Sequence, residues 1–265
     1  SGIHDSNASI LPYLITRSEE FVLNSTGTWC VAMHPADRVH FEPEEIGRMV
    51  FFNMSYAGQP IKTSILMGGL EYDVYRTLLE ARHPGWSPAE FSADRYAEIL
   101  ESRDAFVLPS VVRGAGQFPD SAARIVEAGT EFALDRIQAG EVTPPILDRP
   151  DHAIAALNIS VALQTSVALK RTGCKPGTPI YVEGGFRRND AYLAVLAAAL
   201  PDNPLSLTTL DEATSAGAAL TAIAAVEGVT VESLADRVVI TEEAVAPPQL
   251  PAVPAYAKRF LEMLA

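Results

Sequence analysis

Four short segments hold residues whose types and spacing suit phosphate and proton chemistry. Gly2-Ile3-His4-Asp5-Ser6-Asn7 puts a carboxylate where a strand gives way to a helix, so Asp5 can either accept a proton or cap the helix. Ser25-Thr26-Gly27-Thr28-Trp29 gathers hydroxyls and backbone N–H groups at a glycine hairpin tip. Such a tip is a concavity for phosphate oxygens, and equally an ordinary turn. Gly68-Gly69 opens a helix and reads as a ligand contact or a plain loop. In Glu183-Gly184-Gly185-Phe186-Arg187-Arg188-Asn189 two glycines follow a buried strand directly and a helix starts at once. That arrangement lets backbone approach a flat ligand, although a tight turn without a ligand explains it too.

Several other chemistries lack their residues. There is no GxGxxG and no GxxxxGK[ST], which removes most support for a dinucleotide dehydrogenase or a P-loop ATPase. Cys30 and Cys174 stand in no CxxC and read as two reduced thiols, and His4, His34, His40, His83 and His152 form no HxxxH or HxH, so no metal site is expected. Twenty Lys and Arg against 33 Asp and Glu give a net charge of −13, a potential that repels nucleic acid and anionic membrane surfaces. An anionic small ligand stays open, because backbone N–H groups bind phosphate without net positive charge. At 48% hydrophobic and 20% charged residues the chain is globular, and its 265 residues make one large domain or two small ones. No apolar run approaches the roughly 18 residues of a membrane span, and the first residues lack the basic and apolar regions of a signal peptide, so a cytoplasmic protein is expected.

The elements that must position these segments follow from the local pattern. Runs 21–24 and 29–33 flank Gly27 as a hairpin, and 49–56 reads as a third antiparallel strand. Helices are expected over 70–81, from Ser87-Pro88 as cap and first-turn proline, and over 151–172, where Gly173 and Pro176 stop the chain. The Pro- and Gly-rich stretch 106–150 reads as an irregular connection. Strand 179–183, helix 189–200, strand 205–207 and helix 212–227 alternate as parallel βα units. A Pro-rich linker at 246–254 leads to a short amphipathic helix. Hairpins followed by βα units imply an α/β fold with a mixed sheet flanked by helices.

The order of the segments adds a resemblance. GxHD, STGTW, a GG-opened helix, strand-EGG-x-x-x-N and then Glu212-Ala213-Thr214-Ser215-Ala216-Gly217-Ala218-Ala219 resembles, along nearly the whole chain, the C-terminal half of the FGGY carbohydrate kinases. The HD pair and GTW look most like the rhamnulose and fuculose kinase branch. The resemblance implies a ribonuclease H-like, actin-like ATPase half-domain over residues 1–265 that phosphorylates a ketose or deoxyketose with ATP. It implies Asp5 as the catalytic base and His4 beside it on the sugar. Gly27, Thr28, Gly69, Asp73, Gly185 and Asn189 match nucleotide-side positions, and Glu212, Ala213, Thr214 and Gly217 match a close-packed helix at the domain hinge. The family's N-terminal half, which brings the first phosphate loop, the carboxylate associated with Mg²⁺ and most sugar contacts, is not among these residues. It is the expected partner. Two further readings are a non-catalytic nucleotide- or sugar-binding module, which would gain little from Asp5, and an acetate- or hexokinase-type phosphotransferase, which fits EGG-x-x-x-N and GTW less well.

Overall fold

The computed structural model describes residues 2–210 and 212–264. Along the chain run α1 (Asp5–Thr16), β1 (Val22–Thr26), β2 (Cys30–Pro35), β3 (Val50–Met54), β4 (Pro60–Leu66), α2 (Gly68–Arg82) and α3 (Ala93–Ser102). After them come β5 (Ala105–Leu108), β6 (Arg124–Glu127), β7 (Thr130–Ala133), α4 (Leu134–Gln138), α5 (Pro150–Arg171), β8 (Ile180–Gly184) and α6 (Asp190–Ala199). The chain closes with β9 (Leu205–Thr208), α7 (Ala213–Glu227), β10 (Glu242–Ala244) and α8 (Val253–Glu262). One sheet of seven strands has the order β10-β9-β8-β1-β2-β4-β3. Strand β8 is parallel to β1 and β9, and the remaining pairs are antiparallel, so the sheet is mixed as expected.

Strand side chains alternate between two cores. Val22, Cys30, Ala32, Ile180 and Val182 join the larger core with α2, α3, α5, α6 and α8, whereas Leu23, Met33, Ile61 and Tyr181 face Ile10 and Tyr13 of α1. Helix α7 packs on α1 through Leu220 and Ala224 against Leu11, and Gly217 lies against the Ala8 carbonyl.

Four local expectations change. The run 49–56 does form β3, but its partner is β4, which lies between it and β2. The helix expected from Ser87-Pro88 starts at Ala93, where the Ser92 hydroxyl accepts from the Arg95 N–H. The stretch 106–150 is not irregular throughout: β5, β6 and β7 form a separate antiparallel sheet, held to α8 by stacking of Phe106 on Tyr256 and by the Tyr256 hydroxyl donating to the Ala105 carbonyl. Finally, α5 is 22 residues long and apolar enough to cross a membrane by length and composition, and 89% of its apolar window is buried inside the protein as a core helix. Its proline stands at the first turn, where a missing N–H costs no helical hydrogen bond.

Candidate functional site

The tip of the β1–β2 hairpin is the pivot of the site. The Gly27 N–H donates to the Trp29 carbonyl at 3.0 Å, and the Leu70 N–H of α2 donates to the Thr28 carbonyl at 3.2 Å. A Cβ at Gly69 would stand 2.1 Å from the Gly27 oxygen, so only glycine lets the first turn of α2 dock on the tip. From the other side comes the turn after β8. Gly184 has φ +83°, and a Cβ there would meet the Thr26 oxygen at 1.9 Å. The Thr26 hydroxyl donates to the Glu183 carbonyl and accepts from the Phe186 N–H, tying the turn to β1.

Between α2, the segment before α3, α5 and the β8–α6 turn lies a cleft of about 890 Å³. Gly27, Thr28, Gly69, Asp73, Gly185 and Asn189, which come from three distant parts of the sequence, all line it. Tyr72 meets Phe186 edge-on at 5.6 Å and Phe91 lies 5.1 Å from Tyr96, so part of the wall is aromatic. Arg76, Arg95 and Arg188 share the lining with Asp73, Glu90 and Asp190, and Arg76 pairs with Glu80 at 2.7 Å, so the charges of the wall balance. The size and the mixture of aromatic and polar groups suit a small organic ligand with polar groups.

Asn189 has a structural role as well. Its Oδ1 accepts from the Tyr192 N–H at 3.0 Å as the cap of α6, and its Nδ2 donates to Asn158 Oδ1 at 2.8 Å. Asn158 in turn donates to the Tyr96 hydroxyl at 3.0 Å, so α3, α5 and α6 are joined by one polar chain along the cleft wall. Nothing in the local sequence pattern marks Asn158 or Tyr96, because their hydrogen-bond partners are tens of residues away.

A second, smaller pocket of about 230 Å³ adjoins the hairpin on its other side, lined by Asp5, Ser6, Ser9, Ser25, Thr28, Trp29 and Thr214 among others. Among the described residues no strand precedes Asp5: residues 2–4 are irregular, His4 is the cap of α1 and Asp5 its first residue. Asp5 Oδ1 accepts from the Ser6 N–H at 2.6 Å and lies 2.8 Å from His4 Nδ1. The two side chains are 74% and 68% exposed, respectively, so both stand open to an incoming group. Thr28 lines both cavities.

Of the two cysteines, Cys30 is buried and Cys174 half-buried, both unpaired. Burial pushes the Cys30 thiol up to about 12 and the Cys174 thiol up to about 11, which keeps both from acting as nucleophiles near neutral pH. Among the described residues no group of three His, Cys, Asp or Glu side chains could hold a metal ion.

A mixed sheet between two helical layers, with a hairpin tip and a strand-to-helix glycine turn at one end, defines a ribonuclease H-like half-domain of the carbohydrate kinase type. The chain belongs to the carbohydrate kinase FGGY C-terminal domain family, whose model matches residues 18–230. A carbohydrate kinase from Novosphingobium aromaticivorans has a similar structure, with 23% identity and a TM-score of 0.68 over 99% of this chain and 50% of that one. A xylulose kinase from Rhodospirillum rubrum matches at 16% identity and TM-score 0.63, and a Plasmodium falciparum glycerol kinase with ADP at 12% and 0.61, each over 99% of this chain and 50% of the other. The chain thus spans about half the length of these relatives. No curated protein matches it in sequence.

Proposed function

We propose that this chain is the nucleotide-holding half of an ATP-dependent sugar kinase and that Asp5 is its general base. The observation that supports this most is the position of Thr28, a shared wall between a large cleft suited to a nucleotide and a pocket that presents an exposed carboxylate. ATP in the large cleft would place its phosphates toward the hairpin tip, beside the N-terminus of α2, whose helix dipole favours negative charge. A sugar hydroxyl in the small pocket would then lose its proton to the Asp5 carboxylate as its oxygen attacks the γ-phosphorus. The bond from that phosphorus to the bridging oxygen breaks and ADP leaves. Phosphoryl transfer needs mainly positioning, charge stabilisation and one proton acceptor, which matches what the two cavities offer.

The Mg²⁺ that accompanies ATP has no ligand set among the described residues, and no step here runs through it. The openness of Asp5 and His4 and the doubled length of the relatives support a second, N-terminal half that completes the sugar side, with closure between halves excluding water. Residues 1–265 would then form the C-terminal kinase domain, with α7 and its Glu212, Ala213, Thr214 and Gly217 at the hinge. The substrate would be a ketose or deoxyketose; the rhamnulose and fuculose branch is supported by the HD pair and GTW alone. A net charge of −13 and unpaired thiols suit a cytoplasmic enzyme that avoids nucleic acid and membranes.

Asp5→Asn in the complete enzyme tests the assignment. Loss of the proton acceptor should lower kcat by about 10²- to 10⁴-fold and leave ATP affinity nearly unchanged. If Asp5 serves only the start of α1, Asn is among the best substitutes and kcat stays near normal.

A further inference from the structure

Glu183 is a buried acid that the proposed reaction does not use. Its side chain is 4% exposed, on β8 between β1 and β9 and beneath α1. The Tyr13 hydroxyl donates to its Oε2 at 3.2 Å and shares a 2.7 Å bond with the Thr208 hydroxyl. Ser25 is the register partner of Glu183 on β1, so its side chain stands beside the same carboxyl on the same face of the sheet. Ser25 also lines the Asp5 pocket. The carboxyl is therefore one side chain away from that pocket.

The charged surroundings are sparse. Strands β1 and β9 bring no ionisable side chain. Helix α1 brings Tyr13, then Arg17, which lies over the Tyr181 ring and pairs with Glu242 of β10, and Asp5, which opens into the same pocket as Ser25. Among the described residues no cation pairs with Glu183 directly. Burial pushes its carboxyl up to about 7, against the lowering effect of the bonds from Ser25 and Tyr13.

A hydroxyl has one proton to give. When Glu183 is ionised, Ser25 directs its proton to the carboxylate and turns polarised lone pairs toward the pocket. When Glu183 is protonated, the acid can donate to Ser25, and the Ser25 proton is free to point outward. We infer that Glu183 is a positioning residue that acts through Ser25 and sets whether the wall of the Asp5 pocket accepts or donates a hydrogen bond to a hydroxyl-bearing substrate. The inference rests on the reading of that pocket as the sugar site. Ionised Glu183 makes Ser25 the stronger acceptor, so sugar binding tightens as pH rises through the titration of Glu183.

The test uses the complete enzyme and two readouts. Carboxyl-labelled protein followed by NMR or difference infrared should show one buried acid titrating near pH 7. That signal should vanish in Glu183→Gln and move to higher pH in Ser25→Ala, which removes a stabilising donor. Wild-type KM for the sugar should fall roughly fivefold between about pH 6 and 8, while kcat and the KM for ATP do not share this change. Glu183→Gln keeps the shape and hydrogen bonds of the side chain but not its titration, and should make the sugar KM independent of pH. A pH-dependent sugar KM that survives in Glu183→Gln, or a titration midpoint indifferent to Ser25→Ala, overturns the coupling. Absence of any sugar phosphorylation by the wild type instead removes the kinase reading, and the substrate part of the inference with it.

Discussion

The two cavities that meet at Thr28 are built differently. The large cleft is framed by contacts that leave its walls little freedom: backbone of α2 against the hairpin tip, the Gly184 turn against Thr26, and the Asn189–Asn158–Tyr96 chain behind it. The Asp5 pocket has an exposed rim at Asp5, and the buried bonds among Glu183, Tyr13 and Thr208 lie next to it, behind Ser25, and not in its wall. Under the proposed function, this half-domain would preorganise one ligand and only offer a reactive group to the other. An acceptor site with an open rim gains its geometry when something closes over it.

Gly184→Ala should break the framed side most strongly. It forces a side chain into a left-handed backbone and onto the Thr26 oxygen, with a cost of about 3 to 4 kcal/mol visible in chemical denaturation. The buried carboxyl behind the open side should respond to pH. Desolvation raises both Glu183 and Glu71 above the ordinary carboxylate range, Glu183 to about 7. Their neutral forms therefore favour the fold. For Glu183 that contribution is complete below about pH 4.5 and is lost as pH rises through about 7, a decline on the order of 3 kcal/mol. Denaturation curves of Glu183→Gln should show a shallower decline over this window than wild type. A smaller effect is expected of Asn158→Ala, which leaves Tyr96 and Asn189 short of a partner. Stability should drop by about 1 to 2 kcal/mol and ATP affinity by a few-fold, with the sugar KM unaffected, as measured by denaturation and calorimetry.

The same contrast appears in what the sequence revealed. Hairpin β1–β2, strand β8 and the glycine turns were legible because glycine between apolar runs is a local signal. Strand β4 was not, because Lys62, Thr63 and Ser64 read as polar although all three are buried, Lys62 against Glu45 at 2.7 Å. Ser87-Pro88 imitates a helix start that Ser92 in fact provides. Strands β5 to β7 are four residues each, too short to show alternation among prolines and glycines. In the cleft the glycine positions could be read from motifs and Asp73 only from the resemblance, whereas Tyr72, Phe91, Tyr96 and Asn158 come together only in three dimensions. His4, as the cap of α1, takes the place that sequence alone would give to Asp5.

The central claim is that a nucleotide occupies the large cleft against the β8–α6 turn, and Gly185 allows it to be tested apart from folding. A Cβ at this position meets nothing nearer than the Thr26 oxygen at 3.8 Å, and its backbone is not left-handed, so the protein tolerates a side chain there. Calorimetric titration of Gly185→Val with ATP, alongside its melting temperature, is the direct measurement. The melting temperature should stay unchanged and ATP affinity should fall more than about tenfold, because the new methyl groups fill space that the nucleotide needs. A Gly185→Val protein that melts normally and binds ATP as wild type does would contradict the claim.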